Sequence, residues 1–150
     1  MKSVTSDNFL LKFSPKIEVD ISRESFTFKK GSLTTKFHTC IYLSKGKNAR
    51  ITSVGEVPPR PFESFKVDLF ATHHGDDGYG DDGYHDKYPC LSAFLKHCTA
   101  TMSPKFAMVR PTFIVRGVDE LQPVLHGYQR QIIMDGLRDA GAARILFTED

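Results

Sequence analysis

The sequence predicts an α/β domain (α+β by strict class), in which helices pack on a mixed β-sheet. Three observations support this class. The first 58 residues hold four short segments of strand character, and two later segments carry apolar residues at helical spacing. Each of those helical segments is followed by a short, mostly apolar run of the kind that forms a buried strand. An antiparallel start followed by alternating helices and strands gives one sheet covered by helices.

The N-terminal half predicts four strands. "KIEVDIS" places Ile17 and Val19 on one face, and "ESFTFKKGS" alternates Phe26 and Phe28 with polar residues. The short polar link Ser22–Arg23 between them predicts a hairpin. "KFHTCIYLSKG" and "ARITSVGEV" predict the third and fourth strands, separated by the turn sequence "KGKN". The simplest arrangement of the four is an antiparallel meander.

The first predicted helix is "PCLSAFLKHCTATM", with Pro89 as a natural first-turn residue. Its apolar side chains recur at helical spacing, at Leu91, Phe94, Leu95 and Cys98. Cys98 is therefore expected in the core, and His97 on the surface. "FAMVRPTFIVRGV" then predicts a buried strand.

The second predicted helix is "LQPVLHGYQRQIIMDGLRDAGA", and Gly141 stands where a C-terminal cap belongs. Its expected buried stripe is Val124, Tyr128, Ile132 or Ile133, and Leu137. His126 is expected to pack or to face solvent rather than to act in catalysis. "ARILFTED" predicts a last buried strand.

Composition narrows the class of protein. With 150 residues the chain has the length of one domain, and its net charge of +2 gives no reason to expect nucleic acid as a partner. No apolar run reaches the length of a membrane span. Cys40, Cys90 and Cys98 are an odd number without CxxC spacing, which favours reduced thiols and a cytoplasmic protein.

Two long segments carry a family resemblance. "KIEVDISRESFTFKKGSLTTKFHTCIYLSKGKNARITSVGE" is similar to an opening of the form I-x-(I/V)-D-L-G-T-x-N-T, followed by V-x-x-x-x-P-S-(V/I/L) and a strand ending A-V-G. "PTFIVRGVDELQPVLHGYQRQIIMDGLRDAGAARILFTED" is similar to a strand, a helix and A-G-A-(R/K)-x-(V/I)-x-L-(I/V)-x-E, with Ala140–Ala142 and Glu149 at the matching places. In this order they resemble the first subdomain of the actin-like superfamily, and within it the bacterial rod-shape branch, MreB.

The resemblance implies a ribonuclease-H-like or actin-like subdomain over residues 16–150, after a lead-in at 1–15. The expected sheet is mixed and five- or six-stranded, with two main helices. In the family, D-L-G-T-x-N-T is a phosphate loop, in which the glycine admits close backbone approach and the Asp organises the magnesium water shell. The matching run here is "DISRESF", so Asp20 remains but Ser22 stands at the Gly position and Arg23 at the Thr position.

These departures argue against nucleotide hydrolysis, because side chains at Ser22 and Arg23 obstruct close approach of the backbone to a phosphate. Asp20, Ser22 and Arg23 remain candidates for binding a nucleotide or another anion. Asp119 or Glu120 lies where many relatives carry a catalytic polar residue. Either could act as a base, although a role in capping the following helix is the simpler interpretation.

The most chemically suggestive stretch is "FATHHGDDGYGDDGYHDKYP", a Gly/Asp/His-rich loop expected at about 71–88. A deacetylase-like metal site is rejected, because the position of the required Asp two residues before the first His is Ala71. The paired aspartates do not have the spacing of a calcium loop. Three interpretations of the segment remain open, namely adventitious divalent-metal binding, a protein-binding loop, and a tolerated surface insertion. The metal candidates are His73, His74, Asp76, Asp77, Asp81, Asp82, His85 and Asp86, and the partner-binding candidates are Tyr79, Tyr84 and Tyr88.

The sequence thus predicts a non-enzymatic actin-like module that binds a cytoskeletal or cell-shape protein, such as an actin-like filament protein, or assembles with itself. No cofactor is expected. The alternative is a degenerate nucleotide- or metal-binding protein, using Asp20 and the segment His73–Asp86 with a divalent metal or with Mg-ATP bound weakly.

Overall fold

The structure is a computed structural model, and it describes residues 14–45, 50–70, 83–102 and 109–148, with side chains in the first helix from residue 89 onward. The strands are β1 Lys16–Ile21, β2 Ser25–Lys30, β3 Leu33–His38, β4 Cys40–Ser44, β5 Ile51–Val54, β6 Ser64–Asp68, β7 Thr112–Arg116 and β8 Arg144–Thr148. The helices are α1 Gly83–Met102, α2 Gln122–Leu125 and α3 Gln129–Asp139. Two 3₁₀ turns, Pro61–Glu63 and Val118–Leu121, precede β6 and α2.

Five strands form a large mixed sheet in the order β3-β2-β1-β7-β8. The first three are antiparallel neighbours, whereas β7 runs parallel to β1 and β8 runs parallel to β7. The predicted hairpin between β1 and β2 is confirmed, and so is the buried strand at β7. The mixed five-stranded sheet with two main helices, α1 and α3, agrees with the predicted fold class.

One face of the large sheet carries the core. Alternate residues of its strands pack against α1 and α3, because successive side chains of a strand point to opposite faces. Phe26 and Phe28 of β2 are fully buried, and the Phe26 ring meets Phe94 of α1 edge-on, with centroids 5.5 Å apart. Gly136 of α3 lies so close to Leu95 of α1 that a Cβ there would collide with it. The two helices can approach closely because the large side chain of Leu95 on α1 faces a glycine, Gly136, on α3.

The other face of the large sheet is polar. Glu18 forms an ion pair with Arg116 of β7 at 3.5 Å, and Asp20 forms one with Lys29 of β2 at 3.5 Å. All four side chains are about 40% exposed. Exposed pairs of this kind contribute little to stability. Their effect on this solvent-exposed face is to place opposite charges beside each other on neighbouring strands.

The predicted four-stranded meander is wrong. The chain leaves the large sheet at Thr39 and forms a second, three-stranded sheet in the order β5-β4-β6. The segment "KFHTCIYLSKG" was expected to be one strand, but it contributes β3 to the large sheet and β4 to the small one. β6, which follows the 3₁₀ turn Pro61–Glu63, completes the small sheet as the other neighbour of β4. Because apolar residues lie on both sides of Thr39, a single apolar run in the sequence contains two strands that belong to different sheets.

Helix boundaries also differ from the predictions. α1 begins at Gly83, so Pro89 lies inside the helix and not in its first turn. The predicted second helix is interrupted, because His126 and Gly127 both have positive φ and separate α2 from α3. Tyr128 is 69% exposed, so its place in the buried stripe is wrong, whereas Ile133 and Leu137 are buried as expected.

The C-terminal part follows the sequence more closely. Gly141 has φ of 107°, which suits the left-handed cap expected there, and its N–H donates to the carbonyl of Arg138 at 3.0 Å. The last strand is not fully buried, since β8 is an edge strand and Leu146 is 38% exposed. Cys98 is buried and His97 is exposed, as predicted.

Candidate functional site

The candidate site is the edge of the large sheet where β1, β7 and β8 end, together with the β1–β2 turn. In open α/β sheets, ligands bind outside the carboxyl ends of the parallel strands. Asp20, Ser22 and Arg23, the candidates for anion binding that the sequence offers, belong to the end of β1 and to this turn. The geometry of the turn therefore decides whether a phosphate could approach the backbone.

The β1–β2 turn is closed by its own side chain. The N–H of Ser22 donates to the carbonyl of Ser25 at 2.9 Å, and the N–H of Ser25 donates to Ser22 Oγ at 3.1 Å. The Ser22 hydroxyl also donates to the Ser25 carbonyl at 3.0 Å. The N–H groups of Ser22 and Ser25 are therefore both bonded within the turn, and Arg23 and Glu24 lie between them. Ser22 stands at the position that is glycine in the phosphate-loop motif which the sequence resembles.

Thr39 holds the turn from behind. Its N–H donates to the carbonyl of Glu24 at 3.0 Å, and its hydroxyl donates to the carbonyl of Arg23. Its own carbonyl accepts the N–H of Leu69 at 2.9 Å. Thr39 is buried and lies between β3 and β4. One residue therefore ties the turn to the junction of the two sheets.

Asp20 points away from this edge. It lies on the polar face of the sheet, and its carboxylate pairs with Lys29 at 3.5 Å. Two clefts border the turn, and Asp20 lines neither of them. The structure thus brings Ser22 and Arg23 together but leaves Asp20 beside β2.

The first cleft lies at the carboxyl ends of β7 and β8 and has a volume of about 520 Å³. Arg23, Asp119, Glu120 and Thr148 supply its polar groups. Its floor depends on Gly117, whose φ is 78°, because a Cβ there would stand 2.5 Å from the carbonyl oxygen of Ile21. β1 and the end of β7 can therefore approach only with glycine at this position.

Asp119 connects the 3₁₀ turn to α3. Its Oδ1 accepts a hydrogen bond from Gln129 Nε2 at 2.9 Å, and its carboxylate pairs with Arg130 at 3.6 Å. The carboxylate thus serves to join two elements, which favours the structural interpretation over a base. No side-chain cap bond is made to the first turns of α2 or α3, so the expected capping role of Asp119 or Glu120 is wrong.

The second cleft lies between the two sheets and has a volume of about 700 Å³. Arg23 borders it as well, and β4 and β6 contribute Cys40, Tyr42, Lys66 and Asp68 to its wall. Asp68 pairs with Lys66 at 3.4 Å and thereby raises the pKa of that ammonium group. Burial raises the pKa of the Cys40 thiol, and the nearby Lys66 only partly opposes this. Cys40 therefore stays a neutral thiol and is not an activated nucleophile.

The histidine–aspartate segment is largely outside the described residues. This applies to His73, His74, Asp76, Asp77, Tyr79, Asp81 and Asp82. Tyr84, His85, Asp86 and Tyr88 belong to the first turns of α1, as far as the backbone is concerned. Across the part of the chain that the structure describes, there is no group of three His, Cys, Asp or Glu side chains placed to hold a metal.

The fold was compared with known proteins. No family model matches the sequence, and no curated protein is significantly similar to it. A solved structure, MreB 5 of Spiroplasma citri bound to AMPPNP, superposes with a TM-score of 0.56 at 14% identity. The match covers 91% of this chain and 38% of that one. The fold is actin-like.

Sequence reasoning missed Thr39, whose N–H and hydroxyl donate to the carbonyls of Glu24 and Arg23 in the turn. Its signal was weak, since a lone threonine inside a strand pattern is unremarkable.

Within the described residues, no helix is both long and apolar enough to cross a membrane. Cys40 and Cys98 are buried cysteines that form no disulfide in the described part of the chain.

Proposed function

We propose that this chain is a non-enzymatic actin-like module that binds protein partners. Its partner is a cytoskeletal or cell-shape protein of the cytoplasm, or a second copy of the chain. The observation that supports this most is the closed β1–β2 turn. Ser22 satisfies the amide of Ser25 with its own hydroxyl, and Thr39 engages the turn carbonyls, at the place where the actin-like motif requires an open glycine.

Exposed apolar side chains support a binding role. Among the described residues seven large apolar side chains are exposed, and four of them lie between residues 51 and 65. A local concentration of exposed apolar groups marks an interaction surface more often than a solvent face. These side chains belong to the small sheet and to the connection that precedes β6.

The alternative function is a reduced anion or nucleotide site. It is favoured by the cleft at the carboxyl ends of β7 and β8, which Arg23, Asp119 and Glu120 border. In such a site Arg23 would meet the anion and the two carboxylates would hold magnesium-bound water. MreB 5 was solved with AMPPNP, and the corresponding edge of this chain is the place to look for residual binding.

Thermal unfolding with Mg-ATP, and separately with zinc, nickel and calcium, tests the two functions. The proposal expects a shift of less than about one degree with Mg-ATP at millimolar concentration, because binding stabilises only by RT ln(1 + [L]/Kd). A rise of several degrees that disappears in Arg23→Ala would establish the alternative. Lys36→Ala removes an exposed cation on β3, away from both clefts, and is the matched control.

A further inference from the structure

The cleft between the two sheets, here called the junction cleft, gathers charged side chains from three separate segments. Arg23 and Glu24 come from the β1–β2 turn, Glu56 follows β5, and Lys66 and Asp68 come from β6. Its volume of about 700 Å³ falls within the range of pockets that hold small organic ligands, about 300–1,000 Å³. The junction cleft therefore has the size of a small-molecule site.

One wall of the junction cleft is a face of the small sheet. Cys40 pairs with Asp68, and Tyr42 pairs with Lys66, in the antiparallel register of β4 and β6. Directly opposed residues point to the same face, so these four side chains stand together on the side of the cleft. Lys66 and Asp68 form an ion pair at 3.4 Å within this wall. The small sheet itself thus adds no net charge to the cleft.

Three further charged side chains of the cleft are not matched in this way. In the part of the chain that the structure describes, Arg23, Glu24 and Glu56 form no ion pair. All three are exposed, and an exposed charge is stable in water by itself. What distinguishes them is that they border one concave surface, where a single bound molecule can contact several of them. The junction cleft offers such a molecule one guanidinium and two carboxylates.

Hydrogen bonds order the segments that carry these charges. Thr39 bonds two carbonyls of the β1–β2 turn. Glu56 follows Gly55, whose N–H donates to the Cys40 carbonyl at 2.9 Å, and the Glu56 carbonyl accepts a hydrogen bond from the Ser53 hydroxyl. A site whose backbone is ordered beforehand loses less conformational freedom when a ligand arrives.

Apolar groups lie beside the charges. Val57 directly follows Glu56 and is 67% exposed, and it lines the junction cleft together with the buried Phe70 and the half-buried Tyr42. Methylene groups gain stability when they leave water for surfaces of this kind. A ligand with a short hydrocarbon chain between its charged ends therefore suits the cleft better than a compact inorganic ion does.

We propose that the junction cleft binds a free diamino acid, that is, a molecule with one carboxylate and two ammonium groups joined by a short hydrocarbon chain, such as L-lysine. The carboxylate meets the guanidinium of Arg23, a pairing that allows two parallel hydrogen bonds. The two ammonium groups meet the carboxylates of Glu24 and Glu56, and the methylene groups lie on Val57. This small-molecule site is independent of the binding of protein partners.

Charge complementarity selects this class of ligand over simpler ones. A diamine without a carboxylate leaves Arg23 without a partner, and an amino acid without a side-chain amine leaves one of the two glutamates without a partner. An inorganic phosphate has no cationic group for either glutamate and is repelled by both. The bound diamino acid also joins the β1–β2 turn of the large sheet to the segment after β5 of the small sheet.

Isothermal titration calorimetry of the full chain at low ionic strength tests the proposal. L-lysine should give saturable binding at one site. Pentane-1,5-diamine lacks the carboxylate and L-norleucine lacks the side-chain amine, so each should bind at least about tenfold more weakly, because each loses a charge-assisted contact. Absence of saturable binding by L-lysine at about 10 mM would overturn the proposal, and so would equal affinities for L-lysine and pentane-1,5-diamine.

Variants of the cleft assign each end of the ligand. Arg23→Ala should weaken the binding of L-lysine about tenfold and leave that of pentane-1,5-diamine unchanged, whereas Glu24→Gln/Glu56→Gln should weaken both. Lys36→Ala and Glu63→Gln remove exposed charges that do not line the cleft, and they should alter neither affinity. L-lysine binding that survives both cleft variants would place the ligand elsewhere and refute the proposal.

Thermal unfolding without ligand shows whether the variants are folded, and we expect unchanged midpoints because the replaced side chains are exposed and Thr39 bonds only carbonyls of the turn. Amide hydrogen exchange then locates the bound ligand. Saturating L-lysine should slow exchange in the β1–β2 turn and at Gly55–Val57. Protection at the carboxyl ends of β7 and β8 instead would assign the ligand to the other cleft and would contradict the proposal. A failure of L-lysine to bind leaves the test of protein partners unaffected.

Discussion

The two sheets of this chain differ in how far their apolar side chains are buried. The large sheet buries most of one face under α1 and α3, and it carries cross-strand ion pairs on the other. The small sheet buries Ile41 close to the junction but exposes Ile51 and Phe65 at its other end. This contrast places most of the buried apolar contacts in the large sheet. Under the proposed function, stability resides in the large sheet and partner binding in the small one. The following variants test that division.

The largest effect is expected for the core of the large sheet. Phe26→Ala removes a fully buried ring that contacts Phe70 and Phe94, and it should lower the free energy of unfolding by about 3–5 kcal/mol. Phe65→Ala is the matched change in the small sheet, and it should cost less than about 1 kcal/mol because the ring is already half exposed. Urea unfolding measures both. Equal losses would contradict the division between the sheets.

A smaller effect is expected where β1 meets the end of β7. Gly117→Ala should cost about 2–4 kcal/mol, because a left-handed residue with a Cβ is strained and that Cβ would press on the Ile21 carbonyl. Gly55 also has positive φ, but its added Cβ would stand 3.3 Å from the His38 carbonyl, so Gly55→Ala should cost only about 1–2 kcal/mol. Thermal unfolding of the two variants gives the comparison. A larger loss at Gly55 would show that the small sheet is the more rigid part.

The junction between the sheets should be of intermediate importance. Thr39→Val keeps the shape of the side chain but leaves the Arg23 carbonyl without its hydroxyl donor, at a cost of about 1–3 kcal/mol. Amide hydrogen exchange of the β1–β2 turn should accelerate in the same variant. Thr52→Val is the control on the small sheet, where a hydroxyl that contacts Ser64 Oγ and the Tyr42 carbonyl is lost and less than about 1 kcal/mol is expected. Unchanged exchange in the turn would mean that Ser22 alone holds it closed.

The smallest effect is a dependence of stability on pH. Burial raises the pKa of the Cys98 thiol above its ordinary value of 9.0. The folded state therefore binds a proton that the unfolded state releases, so stability is complete below pH 9.0 and declines as pH rises further. At one pH unit above the unfolded pKa the loss should be about 1.4 kcal/mol. Cys98→Ala should lack this contribution, and a variant that declines as steeply as the unmodified chain would show that other groups are responsible.

Local patterns were sufficient to predict the large sheet. Alternation in "ESFTFKKGS" identified β2, and Gly141 marked the end of α3, because both signals depend on neighbouring residues only. The second sheet could not be predicted this way. Phe37 and Ile41 are buried on either side of Thr39, and a single run of apolar residues does not show that its two halves pair with different strands.

The candidate site was predicted in part. Ser22 was expected to obstruct the phosphate loop, and its hydroxyl does take up an amide of the turn. The roles of Thr39 and Gly117 depend on approach between segments far apart in sequence, which no spacing rule contains. His126–Gly127 did carry a local signal, since a glycine inside a helical pattern often marks its end.

The hydrogen bond between Thr39 and Leu69 has a consequence for how this chain could be rebuilt. The small sheet occupies the stretch between these two residues, and its two ends meet within 2.9 Å. A unit whose entry and exit are adjacent can be removed, or exchanged for another of different length, without moving the segments on either side. Residues 40–68 can therefore be regarded as an exchangeable unit, whose replacement would leave the architecture of the large sheet in place. Under the proposed function, such a replacement would change which partner the protein binds.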